Sequence, residues 1–415
     1  MHLHWDIVEE HFHEAAFLWS QRERALQSAD QSLADIAESD EYRLVAHLEG
    51  LVHAGPRAAE HLLLPTLRDG VPSEVAVAAL ALLASRERDW ADTVMAALVE
   101  TTHPEALLSG VALCPSAGID DSLRALMPTL SPGLQARVLE VLAFRGVDPG
   151  GALEPLLATQ EPEVLAAALD CARFAGPVTA HALVARGLSE GSAETRDAAI
   201  STGCVVGSRD AWRRCRRVVE RDEPLPALSL VAMALGGDAK ERALLLERLA
   251  HREARVDTLW AMGFGATPML IESLVVALRE GVAAAAAPLS FVSGLPLSKL
   301  LVLAEADSDE LPVPTAGTAL LEPIEQWWRD ARPGLSEEGR YLNGRLWSLA
   351  SVLTALKDVP CAWRSELAWD LSVRTRGSVQ VETRAWSWAQ RTALASALQA
   401  TQRFQSGPFT RFLSS

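Results

Sequence analysis

VAVAALALLAS, residues 75–85, returns in altered form about every 30 residues along the chain, a period at which a helical repeat is the first reading. The later copies are ALLSGVALCPS from Ala106, LQARVLEVLAF from Leu134, VLAAALDCARF from Val164, TRDAAISTGCV from Thr195, ALSLVAMALGG from Ala227, ARVDTLWAMGF from Ala254 and VAAAAAPLSFV from Val282. Most registers are rich in Ala and Leu, and the small residues let neighbouring helices approach closely.

The stretches between the copies complete a two-helix unit. In the unit beginning at Pro162, PEVLAAALDCARFAG predicts a first helix and PVTAHALVARGLSEG a second, with Gly176 ending the one and Pro177 suited to the first turn of the other. One such hairpin cannot bury its apolar face alone, so stacked neighbours must supply a continuous core. The period is near that of tetratricopeptide and ankyrin repeats, yet neither W-x₂-L-G-x₂-Y nor T-P-L-H-x-A occurs. The pattern resembles the short HEAT-like repeat named after phycobiliprotein (PBS) lyases.

The fold class expected is all-α: a HEAT-like helical-repeat solenoid. Residues 1–70 would form a helical amino-terminal cap and 71–304 the repeats. Residues 305–317, acidic with two prolines, read as a linker or loop, and 318–415 as a distinct Trp-rich carboxy-terminal module that holds seven of the twelve tryptophans. A short strand or hairpin is expected near Ser378 to Glu382.

Composition agrees. Apolar residues make up 49% but aromatics only 6%, and period-two alternation is rare, so a sheet has little support. The weakly polar stretch around Val282 to Val292 is too short and too alanine-rich to cross a bilayer, so no membrane span is expected. The amino terminus lacks the pattern of a secretory signal, and five scattered cysteines without C-x-x-C suit reduced thiols in helical cores, which together point to the cytoplasm. The net charge of −16 disfavours nucleic acid as a partner and suits a basic protein.

Candidate chemistry is sparse, and no cofactor or catalytic residue is expected. Gly187-Leu188-Ser189-Glu190-Gly191 matches G-x-S-x-G, but its helical flanks make it a turn, with Ser192 placed to cap the next helix. Gly263-Phe264-Gly265 lacks the third glycine and the preceding strand of a dinucleotide loop. Seven of ten histidines precede residue 62, yet His2/His4 and His11/His13 are two apart and point to different sides of a helix; His47, His53 and His61 could join them only through tertiary folding. No metal site is expected.

Two clusters stand out as partner-binding candidates. Arg213, Arg214, Arg216 and Arg217 form the strongest exception to the acidic surface and suit carboxylates or phosphates, against a plain reading in which Glu220, Asp222 and Glu223 balance them. Trp327 and Trp328 are adjacent, so both can hardly face one core and one is a candidate interface anchor.

Both ends carry a resemblance. HFHEAAFLWSQRERAL from His11 and YRLVAHLEGLVHAG from Tyr42 resemble the opening of an uncharacterised bacterial family with PBS-lyase-type HEAT-like repeats. The matching positions are His11, Glu14 to Trp19, Arg22, Arg43, Ala46, His47, Leu48, Gly50 and Leu51. The far end resembles it through Gly339, Arg340, Tyr341, Gly344 and the helix Arg364 to Leu371; where the family has a Gly-Gln pair, this chain reads Lys357-Asp358-Val359-Pro360. Members are often encoded in type VI secretion gene clusters. The resemblance therefore implies a non-catalytic scaffold or adaptor that binds a secretion effector, adaptor or spike component. The alternatives are an immunity protein that binds a toxin, or a HEAT-like enzyme of the bilin-lyase or DNA-glycosylase type.

Overall fold

A computed structural model describes residues 3–85, 89–116, 118–224, 226–251, 255–295, 318–398 and 404–413. The expected linker at 305–317 lies outside them.

The chain is all-α. It opens with α1 (Trp5–Ala25), followed by α2 (Leu33–Ile36), a π-helical turn Ala37–Glu41 and α3 (Tyr42–His53). A second broken helix comprises α4 (Gly55–Ala58), a π turn Ala59–Leu63 and α5 (Leu64–Asp69). Then come α6 (Pro72–Leu83) with α7 (Ala91–Ala97), α8 (Pro104–Leu113) with α9 (Gly118–Leu126), and α10 (Pro132–Phe144) with the 3₁₀ turns Gly150–Leu153 and Pro155–Ala158. The pairs α11 (Pro162–Ala172) and α12 (Pro177–Gly187), α13 (Ala193–Val206) and α14 (Arg209–Glu220), and α15 (Ala227–Gly236) and α16 (Ala239–Leu249) continue the pattern. It closes with α17 (Arg255–Gly265), α18 (Pro268–Arg279) and α19 (Ala286–Ser293). The carboxy-terminal part holds α20 (Thr318–Ala331), a hairpin of β1 (Tyr341–Leu342) and β2 (Arg345–Leu346), α21 (Leu349–Asp358), α22 (Arg364–Arg374) and α23 (Ser387–Ala397).

The sequence itself punctuates these helices. Proline occupies the first turn of α6, α8, α10, α11, α12 and α18, where its missing N–H has no intrahelical acceptor to lose. Ser192, Ser208 and Asp238 cap α13, α14 and α16 by accepting from Thr195, Ala211 and Lys240 backbone N–H groups. The Ser192 cap and a hydrogen bond from the Ser189 hydroxyl to the Arg186 carbonyl show the 187–191 stretch as a turn between helices.

The helices that carry the echo pack in order: α6 on α8, α8 on α10, α10 on α11, α11 on α13, α13 on α15, α15 on α17 and α17 on α19. From α12 onward each second helix wedges between its own first helix and the next, as α12 does between α11 and α13. Close approach explains the small residues. A Cβ at Gly110 would come within 2.3 Å of the Ala76 carbonyl oxygen, so side chains larger than hydrogen there would push α8 off α6.

The expected strand near Ser378 to Glu382 is absent; those residues are turn and coil. The hairpin forms instead at Tyr341–Leu346, because Asn343 (φ 51°) and Gly344 (φ 71°) both take the left-handed conformation that a two-residue hairpin turn requires. Asn343 and Gly344 also donate N–H bonds to the Phe291 and Val292 carbonyls, which fastens the hairpin to the end of α19.

The carboxy-terminal part lies along the edge made by the C-terminal ends of the first helices. Helix ends leave carbonyls without intrahelical donors, and cations and N–H groups are favoured there. Arg340 donates to Leu235 (2.6 Å) and Phe264 (3.2 Å), Arg374 to Leu235 (2.7 Å), and the Trp386 indole to Leu113 (2.9 Å). At the other side, Cys361 and Ala362 N–H groups reach the carbonyls of Gln31 and Ser28, just past α1.

Candidate functional site

The two sequence candidates meet different fates. On α14, Arg214 grips Glu223 with two bonds of 2.7 and 2.8 Å, and Arg216 bridges Glu220 (2.9 Å) and the buried Glu241 (3.2 Å). Arg213 meets Asp210 at 2.8 Å, while Arg217 is exposed and has no carboxylate partner among the described residues. Asp222, expected to balance this cluster, pairs with Arg248 instead. Arg213 and Arg217 thus remain as outward cations beside a shallow depression, and Arg214 and Arg216 hold α14 to its neighbours.

On α20, Trp328 is a core residue, 6% exposed, with its indole N–H on Glu272 and its ring in the cluster formed by α17 to α20. Trp327 packs half-buried against the same cluster. The two are far from α14 in sequence, and α20 packs on α18 rather than forming a main contact with α14.

Tertiary folding does bring two of the early histidines together. His11 on α1 and His47 on α3 face each other with Nδ1 atoms 3.0 Å apart, and Gly50 leaves the His11 ring the room it occupies. Burial, with the charge of His11, holds the His47 pKa below its ordinary 6.5. Among the described residues no group of three or more His, Cys, Asp or Glu side chains converges as a metal centre. All five cysteines are buried and unpaired, and burial pushes the Cys215 thiol up to about 12, so these thiols stay protonated and inert at neutral pH.

The larger concavities follow the seam between the carboxy-terminal part and the helices it covers. A cavity of about 710 Å³ opens between the ends of α1, α10 and α11 on one side and α22 and α23 on the other, lined by Glu23, Phe144, Arg173, Trp369, Gln380 and Arg384 among others. It adjoins a smaller one of about 210 Å³, with which it shares Glu23, Phe144 and Arg384. That one shares Leu113 with a groove of about 770 Å³ walled by Val45, Leu48, Val52, Leu80, Leu83, Pro115, Trp386 and Trp388. Trp388 is 57% exposed at this groove, with Glu49 and His53 at its edge.

The 710 Å³ cavity is bordered by polar groups without partners. The Arg173 Nε–H and the Gln380 Oε1 are both shielded from water and bonded to nothing among the described residues. An unmade bond of this kind costs about 1–3 kcal/mol. Beside Arg173, burial pushes the Asp170 carboxyl up to about 6 despite the pull of the guanidinium.

Trp386 and Trp388 belong to the Trp-rich end, but no local pattern singled them out from its other tryptophans. The spacing of two places one indole inward against Leu113 and leaves the other in solvent. Compared with protein-family models and with curated proteins, the sequence finds no match.

Proposed function

We propose that this protein is a non-catalytic binding scaffold whose seam holds a segment of a protein partner, and that it serves effector handling in type VI secretion. The observation that carries the binding reading is Trp388, an exposed indole at the edge of an apolar groove walled by α3, α6 and Trp386. A large aromatic at the mouth of an apolar groove is the usual energetic anchor of a protein interface.

Charge narrows the partner. With −16 on the chain and Glu49 exposed at the groove, a basic segment with apolar side chains is complementary. The secretion context rests on the resemblance of the two ends. Arg213 and Arg217 are proposed as a secondary contact for an acidic patch of the same partner.

The test is a tagged pull-down from the native bacterium with wild-type protein and Trp388→Glu. Stoichiometric recovery of an effector, adaptor or spike component by the wild type, lost in the variant, is expected. Equal recovery by both, or copurification of a nucleic acid or small molecule in place of protein, would overturn it.

A further inference from the structure

A further concavity, apart from those three cavities, has a different chemistry. It is a cavity of about 430 Å³ between the turn joining α15 to α16 and the carboxy-terminal stretch at 406–411. Its walls carry four cations, Lys240, Arg242, Arg340 and Arg411, against two carboxylates, Asp238 and Glu338. That excess of positive charge stands in a chain of net charge −16.

The carboxylates present are already committed. Asp238 caps α16, accepting the Lys240 backbone N–H at 2.8 Å. Glu338 pairs with Arg242 at 3.3 Å while remaining 86% exposed, where water screens it. Lys240 and Arg411 have no carboxylate partner among the described residues, and Arg411 lies folded over Gly407.

Arg340 is the deepest of the four. It spends two of its five N–H groups on the Leu235 and Phe264 carbonyls and lies over the Trp347 ring at 4.6 Å, with its Nε–H buried and unpartnered. A second cation, Arg374, lies over the same ring at 4.2 Å, and Asp370 already pairs with Arg374 at 2.8 Å. Burial, then the charge of Arg374, lowers the Arg340 pKa to about 9, as befits a cation without a counter-ion.

We infer that this cavity binds a phosphate dianion, free or as a monoester, with Arg340 and Arg411 as donors and Lys240 and Arg242 supplying further positive charge. Two uncompensated charges match a dianion, and guanidinium forks suit the paired oxygens of phosphate. The site is independent of the partner seam and is not part of the reading given above.

Isothermal titration of the full chain at fixed ionic strength tests it, with inorganic phosphate and phosphoserine as probes and chloride as control. The expected result is saturable binding that weakens tenfold or more in Arg411→Glu and in Lys240→Glu. Both replace exposed side chains, and Arg57→Glu, at an exposed position of α4, should bind as the wild type does. Tighter binding of phosphoserine would name a phosphate monoester as the ligand, and equal or tighter binding of inorganic phosphate would name the free ion. Heats no larger than those of chloride, undiminished binding in Arg411→Glu, or an equal loss in Arg57→Glu would overturn the inference. A phosphate-induced rise in melting temperature in the wild type, absent from Arg411→Glu, provides a readout independent of heats.

Discussion

The indole N–H of Trp386 donates to the carbonyl oxygen of Leu113 at 2.9 Å, joining residues 273 apart in the sequence. Leu113 is the last residue of α8, so its carbonyl has no helical donor, and Trp386 both supplies one and completes the amino-terminal hydrophobic cluster. Trp386→Phe keeps most of the packing and leaves that carbonyl unpaired. We expect a loss of about 1–3 kcal/mol in urea unfolding, and about 3–5 kcal/mol for Trp386→Ala. A change within error for both would show that the carboxy-terminal part is not fastened here.

A buried ion pair fastens the same region from the other side. Arg22 Nε and Glu41 Oε1 are 2.8 Å apart, both nearly inaccessible; Arg22 also donates to the Arg384 and Ala385 carbonyls, and Glu41 accepts from the Ser387 N–H. The π turn Ala37–Glu41 brings Glu41 inward. Arg22→Ala strands a buried carboxylate and two carbonyls, so it should cost about 3–5 kcal/mol. Arg22→Ala combined with Glu41→Ala should cost clearly less than the sum of the single changes, measured as a double-mutant cycle in denaturant.

Asp170 gives stability a pH dependence of definite sign. Its folded pKa is raised to about 6 from an ordinary 3.8, chiefly by burial, so its contribution is fully present below 3.8 and lost as pH rises through about 6. Above that the half-buried carboxylate is a burden. Asp170→Asn should therefore gain stability relative to the wild type between pH 4 and 8, by about 1–3 kcal/mol at the upper end. Melting curves across that range would refute this if the difference stayed flat.

The histidine pair acts in the opposite sense. His47 has a folded pKa below 6.5, because burial and the charge of His11 disfavour its imidazolium. Its contribution is complete above about 6.5 and lost as pH falls through the lower folded value, where a second proton breaks the contact between the two Nδ1 atoms. His47→Gln should flatten the fall in melting temperature between pH 7 and 5. An undiminished slope in the variant would count against the pair as its source.

Periodic features were legible in the sequence, and contacts between distant segments were not. Every register of the echo, from Val75 to Val282, lies on a first helix, and Pro162 to Gly187 forms the two helices read from it. The hairpin expected near Ser378 to Glu382 forms instead at Tyr341–Leu346, where Asn343-Gly344 carries the turn chemistry. The arginines of α14 were visible as a cluster. Their use was only half visible: Glu223 lies nearby in sequence, whereas Glu241 reaches Arg216 through the packing of the next helix pair. The seam was hidden altogether, since Trp388 has the same composition signal as the buried Trp363 and Trp328. The matching residues of the two ends acquire a physical role: Arg22, His11 with His47 and Gly50, and Arg340 with Gly344 make contacts that join distant segments.

The central claim, that the seam receives a protein segment, is tested most directly by hydrogen–deuterium exchange on the complex recovered from the native host. The account predicts added protection confined to α3, α6, the stretch after Leu113 and α23 around Trp388, with α18 unchanged. Protection centred on α18, or none on α3 and α23, would contradict it.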